Sequence, residues 1–404
     1  MRYDYVFGLW KGFVPAGAGR NMKRREKYLF CQILLLLSLI GLAGCTGKKE
    51  EESGETYWIL NGDMRTYGER GVFYQENGYL HFMDSVSGLD VTVCDKPECS
   101  HSRTECPAYF EGRVYGAFWE EDTLYLLTDY GADRFGELYL YEASVNGEDR
   151  KKAAELGEAQ HVFYAVFTEK YIVFSYWNQY DENMKELPRD QIGVRLYDRR
   201  TGECRDILSR EGWNARVYQL DLVDDEIYVS CFYYDLTAEE VLAHETDQDY
   251  MQQHLKQELV RSDVEGQDIT SPLQGIPDMA EVQTVCEAGI FYNAGGRLYL
   301  LDAETGVSRD MGENMIGFPS FSEKGQLFGS YDSDTGEISF YLYGMGAEEL
   351  RLTAKMRACI PTVVFEDVCY AYDYHTDNGN GVLAFCRTGD FLNGKTDGFT
   401  RFEK

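Results

Sequence analysis

The sequence predicts an all-β chain built from repeated sheets of about four short strands, and three observations lead there. A short unit recurs through the body of the chain: an acidic residue, two or three mostly small or polar residues, then an apolar-aromatic stretch. A second unit follows most copies, alternating in hydrophobicity and ending in an acid and a glycine. Aromatic residues are abundant, with 31 Tyr and 22 Phe in 404 residues against only 8 Pro. Rings and β-branched side chains suit a pleated, half-buried surface.

The first unit appears as Glu69-Arg70-Gly71-Val72-Phe73-Tyr74, Glu121-Asp122-Thr123-Leu124-Tyr125, Glu169-Lys170-Tyr171-Ile172-Val173-Phe174 and Asp224-Asp225-Glu226-Ile227-Tyr228-Val229. It returns from Glu287, Glu323 and Glu366, giving seven copies spaced 52, 48, 55, 63, 36 and 43 residues apart. The second unit runs Leu80 to Asp84 and on to Gly88, Leu138 to Glu142 and Gly147, Val194 to Asp198 and Gly202, Leu259 to Asp263 and Gly266, and Leu298 to Asp302 and Gly306. An alternating strand, an acid and then glycine signals a hairpin. Modules near fifty residues that cannot bury an apolar face alone stack on their neighbours. The pattern resembles β-propellers, with one repeat per blade and seven blades; an eighth copy or a merged pair would make eight or six. A solenoid is the structural alternative, but its repeats are shorter and more uniform.

Along the chain, the front comes first. Met22-Lys23-Arg24-Arg25-Glu26-Lys27 is basic and precedes the apolar run Tyr28 to Leu42. That run is short of the roughly 20 residues a membrane-spanning helix needs, and has the flanks of an export signal. It ends in Leu42-Ala43-Gly44-Cys45, which resembles the bacterial lipobox. The resemblance implies a signal peptide over 22–44 and a diacylglycerol on Cys45, which anchors the protein to the outer face of the cell membrane. Residues 1–21 fit no part of this signal, whose basic stretch normally opens a chain, so translation is expected to begin at Met22. Residues 45–56 are the acylated cysteine and a polar stretch that cannot bury a face, hence a flexible tether. The β-propeller domain is expected over 57–404.

Charge narrows the partners. Residues 1–45 hold seven Lys/Arg and two Asp/Glu, so the exported chain keeps 32 basic and 67 acidic residues, a net charge near −35. That excludes nucleic acid and direct electrostatic docking on anionic lipid.

Four long segments fall in the connections that propellers gather on one face: Cys94 to Gly112, Asn178 to Gln191, Asp235 to Glu258 and Asp373 to Gly381. Loops carry function more often than the scaffold does. Tyr176, Trp177 and Tyr180, with Tyr374 and His375, are therefore expected to form a ligand face for a glycan or peptide. The third segment opens with Thr237-Ala238-Glu239-Glu240, a capping box, and helical composition persists to Val260, predicting one helix inserted in blade four.

Cys94, Cys99, His101 and Cys106, in C-x4-C-x-H-x4-C spacing, form the densest site-like motif. Three thiolates and an imidazole suit a tetrahedral structural zinc. The spacing departs from the common C-x2-C pairs, and in an exported protein a disulfide between two of the three, or free thiols, are the rival states. Together with Lys96-Pro97 and Ala108, these residues resemble a motif in uncharacterised β-propeller lipoproteins of Gram-positive anaerobes. The resemblance covers most of the chain and implies address and fold; it carries no established activity.

No Gly-x-Ser-x-Gly elbow and no phosphate-binding glycine loop occurs. The leading expectation is thus a binding or scaffold lipoprotein without catalytic residues. The alternatives are an extracellular polysaccharide hydrolase or lyase using rim carboxylates, and a ligand-sensing module for a membrane partner. Oligomeric state is not legible in the sequence.

Overall fold

The computed structural model describes residues 58–403 except 102–104, 267–275, 277–279, 303–304, 345–346, 348, 376–380 and 396–397. The expected signal peptide over 22–44, the expected acylated Cys45 and the expected tether lie outside the described residues. The described chain is all-β with three short helices, and none of these helices is long and apolar enough to cross a membrane.

The strands follow in chain order as β1 (Trp58–Asn61), β2 (Arg65–Gly68), β3 (Gly71–Glu76), β4 (Tyr79–Asp84), β5 (Asp90–Thr92), β6 (Val114–Glu120), β7 (Thr123–Thr128), β8 (Glu137–Ser144) and β9 (Lys151–Glu158). Next come β10 (Ala165–Phe167), β11 (Tyr171–Tyr180), β12 (Glu186–Asp198), β13 (Cys204–Val223), β14 (Glu226–Tyr234), β15 (Leu255–Asp263), β16 (Glu281–Cys286), β17 (Gly289–Ala294), β18 (Arg297–Leu301) and β19 (Ser308–Glu313). The last are β20 (Ile316–Phe318), β21 (Ser320–Phe321), β22 (Gln326–Asp332), β23 (Glu337–Tyr343), β24 (Arg351–Arg357), β25 (Cys359–Phe365), β26 (Val368–Asp373), β27 (Val382–Arg387) and β28 (Thr400–Arg401).

Local chemistry accounts for the turns. Asp84, Asp198, Asp302 and Asp332 each stand four residues before a glycine whose φ lies between 68° and 77°. In each, the glycine N–H donates to the aspartate carbonyl at 2.8–2.9 Å, while a carboxylate oxygen accepts a backbone N–H from within the turn. The aspartate closes the turn and glycine alone takes its left-handed end at no cost. Asp224 and Asp225, both at positive φ (49° and 61°), form the two-residue turn between β13 and β14. The acid-plus-glycine signal in the sequence is this motif.

Sheets β6–β9 and β16–β19 are four-stranded antiparallel meanders in sequence order, and β20-β22-β23-β24 and β21-β25-β26-β27-β28 vary the theme. The remaining strands merge into one eleven-stranded sheet, against the expectation of separate four-stranded units. Two features join it. β13 is twenty residues long and pairs with β12 through its first half and β14 through its second. β1 lies between β2 and β10, antiparallel to both.

Each sheet packs on the next. Phe73 and Phe82 meet Trp119 at 4.7 and 4.4 Å between ring centres, and Phe118 meets Phe167 at 4.9 Å. Val223 and Tyr228 share a core with Val282 and Tyr292, Phe291 meets Phe328 at 4.7 Å, and Phe340 meets Phe391 at 5.3 Å. The last sheet then returns to the first: Tyr370 lies 5.6 Å from Tyr67 and its hydroxyl donates to the Gly68 carbonyl at 2.9 Å. Glu403 also bridges Leu89.

The insertion after β14 differs from the single helix expected over Thr237 to Val260. Helix α1 (Ala238–His244) starts at the predicted capping box, and α2 (Gln248–His254) starts anew at Asp247, whose side chain accepts from the Tyr250 N–H. From Leu255 the chain is strand, because pairing with β14 over nine residues buries Leu259 and Val260. Val241 and Met251 turn inward, whereas Leu242 is 66% exposed. A third helix, α3 (Thr388–Leu392), was not legible; it buries Phe391 between β24 and β27.

Candidate metal centre and loop-bearing end

The cysteine loop interrupts the outer edge of the β2–β5 sheet. Val93 N–H donates to the Leu80 carbonyl, and Leu80 N–H donates to Ala108, so residues on both sides of the loop pair with the same strand. Cys94, Cys99, His101 and Cys106 are thereby brought together, with all four ligand atoms within 4.8 Å of one another. Bonds of ~2.3 Å to a tetrahedral zinc put sulfur ligands about 3.8 Å apart, so small side-chain rotations complete the site. His101, at φ 49°, turns its Nδ1 to 3.5 Å from the Cys106 sulfur. The backbone N–H of His101 lowers the Cys99 thiol pKa, whereas burial pushes Cys106 up to about 11. All three thiols are unbridged. Four protein ligands leave no open coordination position, so such a centre would hold structure rather than activate water.

The loop docks on the β8–β9 turn. Lys96 pairs with Glu148 at 2.8 Å, Asn146 donates to Asp95 at 2.8 Å, and Arg150 reaches the Pro107 carbonyl while lying 3.7 Å over the Phe110 ring. The loop therefore fastens the first meander to the β6–β9 meander.

The other long connections gather at one end of β1, and the cysteine connection finishes there too, with Arg113 3.3 Å from His161 Nδ1. Asn61 pairs with Arg65 and Leu60 with Ala165, whereas Trp58 lies at the opposite end of β1, beside Phe167. His161, just before β10, bridges Trp177, so the β11–β12 hairpin belongs to the Asn61 end. Arg189 of that hairpin pairs with Asp235 at 3.2 Å, bringing in the helical insertion. Tyr372 joins from β26: its hydroxyl donates to Asp63 at 2.8 Å, and so does Tyr67 at 2.5 Å. Arg65 completes the cluster, 3.3 Å from Asp63 and 2.5 Å from the Tyr372 hydroxyl. Burial, then Asp63, pushes the Tyr67 phenol well up, keeping it a hydrogen-bond donor.

The residues expected to form the ligand face divide. Tyr176 is 6% exposed and packs in the core beneath Arg195, so it is not available to a ligand. It points inward because alternation along β11 sends its neighbour Trp177 to the other face. Trp177 is half-buried, stacked by Arg216 at 3.6 Å and flanked by His161 at 5.1 Å. Tyr180 is half-buried, and its carbonyl accepts from Gln160 at 2.6 Å. Tyr374 packs against two core clusters, and burial pushes its phenol up to about 12. His375 is exposed, with Nδ1 2.9 Å from Asp373. Among the described residues no hydrogen bond or ring contact links the Trp177 group to the Tyr374 group.

A cavity of about 330 Å³ opens at this same end between the β20-β22-β23-β24 and β25–β28 sheets, and His375 helps line it. Its other charged residues, Glu337, Lys355, Arg357 and Asp373, come from the ends of three different strands, β23, β24 and β26. No local motif announces them.

No protein-family profile matches this chain, and no curated protein does. Among solved structures, an oligogalacturonate lyase from Vibrio parahaemolyticus is 12% identical, over 66% of this chain and 72% of its own, with a TM-score of 0.42. Dipeptidyl peptidase 4 of Porphyromonas gingivalis is 8% identical over 88% of this chain and 60% of its own, with a TM-score of 0.42. TolB from Acinetobacter baumannii is 9% identical over 74% and 65%, with a TM-score of 0.33. At such identities and scores no chemistry passes from them to this chain.

Proposed function

We propose that this chain is a membrane-anchored extracytoplasmic binding or scaffold lipoprotein: a seven-bladed β-propeller held through an acylated Cys45, with a zinc-stapled loop and its ligand on the loop-bearing end. The blades are β2–β5, β6–β9, β10–β12 with the first half of β13, the second half of β13 with β14 and β15, β16–β19, β20 with β22–β24, and β25–β28. The helical insertion then belongs to blade four. The zinc is structural, for the reason of coordination number given above.

The observation that carries the reading is the placement of loops relative to the tether. β1 begins at Trp58, at one end of the inner strands, so the chain from Cys45 enters the domain there. The β11–β12 hairpin, the helical insertion and the end of β26 all stand at the opposite end. A chain anchored through Cys45 thus holds its most elaborated surface away from the bilayer. The cysteine connection returns to that same end, where Arg113 meets His161 and Phe110 pairs with Gly78.

The anchor is tested by mass spectrometry of the N-terminal peptide and by Cys45→Ala, which should release the protein from membranes. Binding is tested on glycan and peptide arrays with wild type and Trp177→Ala. Retention of no array member, or binding untouched by every loop-end substitution, overturns the reading.

A further inference from the structure

We infer that the cavity between the β20-β22-β23-β24 sheet and the β25–β28 sheet binds a small sugar acid, its carboxylate held by Lys355 and Arg357 and its ring face resting on Phe399. The inference deepens the loop-end reading above and rests on it. The cavity lies at the end where β24 and β26 finish and β23 and β25 begin, which is the end that carries the long loops.

Charge selects the ligand. In a chain with 69 acids and 39 bases, this cavity gathers Lys355, Arg357 and His375 around only two carboxylates. Both carboxylates are engaged already. Glu337 holds Arg357 through Nε at 3.3 Å, and Asp373 takes Arg401 at 2.6 Å and His375 at 2.9 Å. Among the described residues Lys355 Nζ has no hydrogen-bond or ion-pair partner, with Asp332 near enough to act on it only through space, and the terminal nitrogens of Arg357 make no hydrogen bond. An ammonium beside the remaining N–H groups of a guanidinium that Glu337 holds only through Nε is an arrangement that takes a carboxylate by charge-assisted hydrogen bonds.

Shape and the remaining polar atoms favour a sugar ring over a simple anion. About 330 Å³ stands at the small end of the roughly 300–1,000 Å³ of ligand sites, room for one or two pyranose rings. Phe399 offers an apolar wall, packed from behind by Phe391 at 6.2 Å. Glu337, which accepts only from Arg357 Nε, keeps spare lone pairs that accept from hydroxyl groups. Nothing here attacks the ligand: Cys359 is 5% exposed and kept as a neutral thiol by burial, and His375 is tied to Asp373. The site holds its ligand without covalent chemistry.

The test is calorimetric titration of the purified protein with D-glucuronate, with glucose and glucosamine as comparators. Glucuronate should bind at least about 10-fold more tightly than either, since one charge-assisted contact is worth about that factor. Lys355→Met and Arg357→Gln, both at exposed side chains, should each weaken glucuronate at least about 10-fold while leaving the thermal midpoint unchanged. Equal affinity in wild type and both variants, or glucosamine binding as well as glucuronate, overturns the inference. The arrays separate its failure from that of the parent reading. Sugar retention that survives Lys355→Met but is lost in Trp177→Ala overturns the cavity alone; retention of nothing overturns both.

Discussion

Removing one ligand from the cysteine cluster has a magnitude that the structure sets. A metal bridging Cys94 and Cys106 closes a loop of 13 residues. Closing a loop of that length removes about 3 kcal/mol of entropy from the unfolded chain. Unfolding entropy near 2.1 cal/mol/K per residue gives the 58–404 body about 0.7 kcal/mol per degree. Cys99→Ser should therefore lower the thermal midpoint by about 4 °C, and chelation with EDTA should do the same to wild type and nothing further to the variant. Elemental analysis should return close to one zinc per chain for wild type and far less for the variant.

Two results would refute the reasoning, and they differ. A native mass 2 Da below the reduced chain, with alkylation of Cys94, Cys99 or Cys106 only after reduction, would show a disulfide in place of the metal. Absence of metal together with an unchanged midpoint in Cys99→Ser would show that the thiols staple nothing. The contacts of Lys96, Asn146 and Arg150 would then be holding the loop on their own.

Further predictions follow from single contacts. A Cβ on Gly68 would stand 2.5 Å from the Trp58 ring, so Gly68→Val should cost about 1–3 kcal/mol by overpacking, read as a lower denaturant midpoint. Phe73→Ala, which empties a site between Trp58, Phe82 and Trp119, should cost about 3–5 kcal/mol by the same measurement. Thr237→Ala removes the capping box of α1 and should speed hydrogen exchange through Ala238–His244 by an amount near 1 kcal/mol, with little change in the global midpoint. His161 is lowered from 6.5 to about 4 by burial first, then by Arg113 and Arg216. The unfolded chain thus takes up the proton first, so this contribution is complete above pH 6.5 and is lost as pH falls towards 4. Solvent screening of a half-buried ring reduces it to about 1–2 kcal/mol; an NMR titration midpoint for His161 near 6.5 would refute the assignment.

What could be read in the sequence was whatever is local. Asp84 to Gly88 and Asp198 to Gly202 announce their turns because the aspartate, the bonded N–H groups and the positive-φ glycine all fall within five residues. The Cys94–Cys106 cluster is legible for the same reason, being a single loop. Tyr176 and Trp177 are adjacent in the same strand, and composition alone did not tell which of them faces the core. The Asp63–Arg65–Tyr372 cluster was missed because its partners stand more than 300 residues apart. Lys355 and Arg357, in a strand whose outer face is simply charged, carry no mark of the cavity beside them. The helix expected to reach Val260 stops at His254 because propensity yields to pairing with β14.

β1 turns this contrast into one more prediction. Trp58, Ile59, Leu60 and Asn61 follow the polar stretch that ends at Thr56, where a short run of three apolar residues looks like the start of an ordinary edge strand. Instead all four are at most 4% exposed, and the strand supplies hydrogen-bond partners to β2 and β10 at once. Burying three large apolar side chains contributes about 5–8 kcal/mol, comparable with the whole stability of a typical domain. Removing β1 also leaves two inner strand edges unpaired, which invites pairing with other chains. A chain beginning at residue 62 should therefore be recovered as aggregate, whereas one beginning at residue 57 should be soluble and melt cooperatively. Soluble, cooperative unfolding of the shorter chain within about 2 °C of the longer one would mean that β1 merely fills space between sheets that are already held together without it.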